Sequence, residues 1–214
     1  MSKALLDYYV KHAISTARNL SIEVRTHNKA PINPKNGGHF QMLPVYETET
    51  YSLLKKTQEI CGTTVTCVNT PPEFVDAYWK RFEIDGQPSS ELTVTDQNYC
   101  RTRYFVCKEL MHHYLQDTDS ATTSNTALRT LIVNLVKGSS GMMENASSIV
   151  DNAAYYGALE YLLPNDTMPL AQKLFSDFSE KEGADKAYAI IAYKLRIPLS
   201  LVEYRFANDA EFNF

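Results

Sequence analysis

The chain has 214 residues, 44% of them apolar, and carries a net charge of −4 at neutral pH. That length is enough for one well-cored domain or a domain with an extension. The acidic balance gives no global basic field for nucleic acid, and no apolar run reaches the roughly 18 to 20 residues that a membrane-crossing helix needs. Cys61, Cys67, Cys100 and Cys107 have no C-x-x-C spacing and follow no secretory leader, so reduced thiols and a cytoplasmic protein are expected.

In chain order, residues 2–20 have a helical period through Leu5, Tyr8, Tyr9, Ala13 and Ala17, with His12 on the same side. Residues 22–25 read as a short strand. The segment 27–44 holds three prolines and a Gly-Gly pair, which mark a loop or arm. Helical spacing returns over 47–61, with Gly62 as a C-cap, so an N-terminal helical region is expected over 1–61.

Beyond it the period drops toward 2. Residues 63–68 (TTVTCV), 78–84 (YWKRFEI) and 91–94 (ELTV) read as three strands, the second closing on an Asp85-Gly86 turn. The aromatic strand around Trp79 has the composition of an edge that accepts a peptide, although a half-buried strand explains it as well. Asp96 or Asn98 then caps a helix over 101–115, and further helices are predicted over 124–136, 144–162, 168–178, 184–194 and 200–206. Helices, a small sheet and more helices make an α+β pattern, with a main domain over 62–207 and a tail over 208–214.

The chemistry concentrates in the helix over 101–115, RTRYFVCKELMHHYL. A helical His-Glu-x-x-His grips Zn²⁺ because residues four apart project from one face, while the Glu polarises a metal-bound water. Here the pattern is Lys108-Glu109-Leu110-Met111-His112. Lysine presents an ammonium with three donors and no lone pair, so it repels the ion that histidine would bind. On a different face of the helix, Glu109, His113 and Asp117 follow at four-residue intervals and are alternative ligands. No G-x-S-x-G, P-loop or G-x-G-x-x-G is present. Cys107 beside Lys108 reads as a packed core thiol rather than a nucleophile, because consecutive helical residues point about 100° apart.

The stretch from Glu91, ELTVTDQNYCRTRYFVCKELMHHYL, resembles the core of the ImmA/IrrE family. Peptidases of that family carry a strand, a polar turn and an Arg-aromatic-Thr-Leu-Ala-His-Glu-Leu-Gly-His helix. Arg103 and Tyr104 fall on the Arg-aromatic pair, Val106 and Cys107 on Leu-Ala, Glu109 and Leu110 on Glu-Leu, and His112 on the second His. Lys108 falls on the first His and Met111 on the Gly. The segment DNAAYYGALEYLLP, residues 151–164, is similar to a later family helix, and counting back from Pro164 places Ala153 where a third ligand, a Glu, is expected. The segment IIAYKLRIPLSLVEYRF is similar to the family's closing helix-turn-helix-like piece, with matches at Ala192, Lys194, Val202 and Arg205.

The resemblance implies an α+β fold of zincin-like, ImmA/IrrE type: a small, mostly antiparallel three-stranded sheet packed against a helical bundle. It also implies a vestigial site of Lys108, Glu109, His112 and Ala153. Lys108 pairs with Glu109 in place of the metal, Glu109 is the remnant of a general base, His112 is the remnant ligand, and no cofactor is expected. Asp151 substitutes for the third ligand only with a shift in helix register. The function implied is a catalytically silent module that binds a protein, by analogy a transcriptional repressor, in a bacterial, phage or mobile-element setting. The alternative is an active zinc metallopeptidase with a remodelled site that uses Glu109 as general base. A weaker DNA-binding reading through Lys194, Arg196 and Arg205 is opposed by the acidic Asp209 and Glu211 close behind.

Overall fold

The structure, a computed structural model, describes residues 3–28, 77–94, 99–115 and 146–213. In chain order these form α1 (Lys3–Asn28), a hairpin of β1 (Ala77–Ile84) and β2 (Gln87–Val94), α2 (Tyr99–Tyr114), α3 (Ala146–Leu162), α4 (Met168–Glu182), α5 (Ala184–Leu195) and α6 (Leu199–Ala207). A 3₁₀ turn, Asp209–Phe212, follows.

The expected α+β class with a three-stranded sheet is corrected. Among the described residues the strands form one two-stranded antiparallel hairpin, and every other regular element is helical. The physical reason lies in the core, which is filled by helix against helix. The hairpin contributes Ala77 and Leu92 to it, and α1, α2 and α3 together supply Ala13, Ala17, Leu20, Val106, Cys107, Leu110, Met111, Val150, Ala154 and Ala158. The expected strand 63–68, the helices 47–61 and 124–136, and the loop proper of 29–44 lie outside the described residues.

The hairpin itself follows its sequence signal. Asp85 and Gly86 both have positive φ, 51° and 75°, as a two-residue turn matching the right-handed strand twist requires. Pairing runs from Ile84 opposite Gln87 to Ala77 opposite Val94. The short strand expected at 22–25 is instead the continuation of α1 to Asn28. The buried stripe of α1 is Ala13, Ile14, Ala17, Leu20 and Ser21, while Tyr8, 63% exposed, stacks on His12 on the outer side. This helix of the N-terminal region therefore shares the core of the rest of the chain.

α3 is apolar nearly all round and lies in the middle of the helices, as such a helix must. Gly157 marks where α1, α2 and α3 approach most closely: a Cβ there would stand 3.1 Å from Met111 Cγ and Sδ and 3.3 Å from Ala13 Cβ. α4 and α5 are joined by Gly183 alone, at φ 88° and ψ 160°, a region that glycine reaches without a Cβ clash. Phe175, Tyr188 and Phe206 pack their rings together and tie α4, α5 and α6 into a unit, with centroids 4.5 to 5.6 Å apart.

Candidate functional site

α2 presents Lys108 and His112 one turn apart on one face, the i,i+4 arrangement that the motif predicts. Facing them is Asp151, in the second turn of α3. Its Oδ1 accepts a hydrogen bond from Lys108 Nζ and lies 3.4 Å from His112 Nε2, so a single carboxylate oxygen is shared by both side chains. The cluster is half-buried, with side-chain exposures of 16% for Lys108, 12% for His112 and 34% for Asp151.

Burial alone would raise the Asp151 carboxyl. The hydrogen bond from His112 and the charge and hydrogen bond of Lys108 outweigh that cost and hold it well below the usual carboxylate range. Asp151 is therefore ionised and compensates the Lys108 ammonium directly. Tyr104, one turn before Lys108, is buried, and its hydroxyl is held well above its ordinary value by desolvation first and then by Tyr155, Asp151 and Glu109. Glu109 itself is buried.

Ala153 is fully buried in the core. Two residues along a helix turn the side chain by about 200°, so a helix that aims Asp151 at Lys108 and His112 turns Ala153 away from them. Counting back from Pro164 thus selects a neighbour on the wrong azimuth. His113 makes an edge-on ring contact with Tyr114, centroids 5.2 Å apart, and Asp117 lies outside the described residues. Among the described residues no group of three or more His, Cys, Asp or Glu side chains is placed to hold a metal ion. The donor set of the corner does not fit catalytic zinc, which takes three lone-pair ligands from the protein plus a water: it offers His112 and Asp151, and the third place holds a cation.

Two further buried cations hold the helices together in a way that the sequence pattern does not announce. Arg103, fully buried in α2, donates to the Leu195 carbonyl at 2.6 Å and the Arg196 carbonyl at 3.2 Å, and so caps the C-terminus of α5, where Arg196 adopts the left-handed conformation. Arg205, read from sequence as a matched family position and a candidate phosphate contact, is also fully buried. Its guanidinium bonds Asp209 at 2.5 Å, lies 3.6 Å from Glu160 and stacks over Phe212 at 3.9 Å. The i,i+4 spacing of Arg205 and Asp209 is the signal that could have revealed this. Arg205 is thus withdrawn from the surface, while Glu203 beside it on α6 is exposed.

No protein-family model, curated protein or solved structure matches this chain. No helix among the described residues is long and apolar enough to cross a membrane.

Proposed function

We propose that this protein is a non-catalytic regulatory module of ImmA/IrrE-like sequence design that acts in the cytoplasm by binding another protein. By analogy with the peptidases of that family, the partner is a transcriptional repressor, and the setting is bacterial, phage or mobile-element regulation. The observation that carries the reading is the ion pair between Lys108 and Asp151, on the helix face where a peptidase of this design would hold zinc. A hydrolytic centre needs a metal-bound water beside Glu109. At this corner a lysine ammonium neutralises the acidic ligand instead, which supports retention of a binding surface without hydrolysis.

The test uses the full chain, expressed in zinc-supplemented medium and purified without chelator. Metal analysis should find zinc well below one equivalent. A repressor encoded beside the gene should be retained on the immobilised protein and recovered uncleaved. Stoichiometric zinc surviving dialysis against a chelator, together with cleavage of the repressor, would overturn the proposal in favour of a remodelled metallopeptidase.

A further inference from the structure

We infer that Lys108, His112 and Asp151 form a former three-ligand metal corner in which the lysine ammonium serves as a tethered replacement for the ion, and that Lys108 alone keeps metal out. Three observations converge on this. Lys108 and His112 share a face of α2, Asp151 of α3 reaches both through one oxygen, and that oxygen lies against the ammonium. The reach of the side chains agrees. Imidazole Nε2 extends less far from the backbone than lysine Nζ, and a Zn–N bond of about 2 Å makes up the difference. An ion bound by histidine at position 108 would therefore stand near the point that Nζ occupies, within reach of Asp151 and His112.

The corner is thus one substitution from a His-His-Asp donor set with an open fourth position, and Ala153 has no part in it. Divalent zinc or cobalt is the ion class it fits, since two imidazoles and one carboxylate suit a four-coordinate borderline-soft cation. Metal uptake at this corner is separable from partner binding, so either reading can fail without the other.

The experiment is cobalt(II) titration of the full-length Lys108→His variant, followed by the visible d–d absorption of tetrahedral cobalt and by competition with zinc. Lys108→Cys is a second variant that supplies a lone pair at the same place should histidine prevent folding, and circular dichroism checks both. One equivalent of cobalt should bind at least about 100-fold more tightly than to the parent, since losing even an outer partner of a ligand costs about 10- to 100-fold. Adding Asp151→Asn should abolish the gain, while adding Ala153→Glu should leave it unchanged. A folded Lys108→His or Lys108→Cys protein that takes up no stoichiometric cobalt overturns the inference. So does uptake that is indifferent to Asp151→Asn, or uptake that requires Ala153→Glu.

Discussion

Replacing Glu160 with alanine removes the carboxylate that stands between α1 and the C-terminal turn. Glu160 Oε1 accepts from Arg18 Nε at 2.8 Å and from the Asn165 backbone N–H at 3.0 Å, while Oε2 lies 3.6 Å from Arg205 Nη2. The Glu160 and Arg205 side chains are both 0% exposed. Removing one partner of a buried pair typically costs about 3 to 5 kcal/mol, because the remaining charge is stranded without water. Arg205 keeps Asp209, so the low end, about 3 kcal/mol, is expected for Glu160→Ala. For a chain of this size that corresponds to a fall in Tm of roughly 6 to 12 °C, measurable by calorimetry or by circular dichroism at 222 nm. The exposed Lys186–Glu182 pair, 3.0 Å apart across the Gly183 link between α4 and α5, is the internal control. Glu182→Ala should shift stability by no more than about 1 kcal/mol, as the loss of an exposed ion pair does. If Glu160→Ala lowers Tm no more than Glu182→Ala does, the buried network is not holding the C-terminal turn, and the reasoning fails.

Two other perturbations have definite signs. Asp151 has a folded pKa below its unfolded value, so its stabilisation is complete above the unfolded-chain value of about 3.9 and is lost as pH falls from there through the depressed folded value. The stability gap between parent and Asp151→Asn should therefore be widest near neutrality and close in acid; a gap independent of pH between 2 and 7 would refute the pairing with Lys108. At Gly183, with φ 88° and open space around the missing Cβ, alanine meets no neighbour but must adopt a backbone region reserved for glycine. A loss of about 1 to 3 kcal/mol is expected in chemical denaturation, whereas a neutral or stabilising effect would show that the α4–α5 link relaxes freely.

How much of this was legible in the sequence varied with the kind of signal. Asp85-Gly86 announces its turn because both positions need positive φ, and the helices expected over 101–115, 144–162, 184–194 and 200–206 announce themselves through apolar spacing, the second ending close to Pro164, whereas α4 runs on to Glu182, past the expected end at 178. The class was misread because alternation and β-branching describe how a segment fits a pleated surface, not how many segments pair. Residues 22–25, which alternate β-branched Ile22 and Val24 with charged Glu23 and Arg25, remain helical because α1 simply continues through them. At the candidate site, the motif positions Lys108, Glu109 and His112 were readable from spacing along one helix. The facing residue, Asp151, was readable only as an alternative that needed a register shift. A two-residue difference in a motif alignment is small, yet it swings a helical side chain to the far side, so Asp151 rather than Ala153 meets the cluster. Arg103 and Arg205 escaped for a related reason: a cation reads as solvated until the carbonyls or carboxylates that enclose it come together from distant segments.

The cap that Arg103 places on α5 makes α2 a stiff lever with a grip at two points. One grip holds the end of α5, and the other, five residues along, holds α3 through Lys108 and Asp151. At about 1.5 Å per residue the two lie roughly 7.5 Å apart on a continuous helix. A helix that short transmits displacement rather than absorbing it. Displacing the end of α5 would therefore load the Lys108–Asp151 pair, and prising that pair apart would pull on the carbonyls at the end of α5.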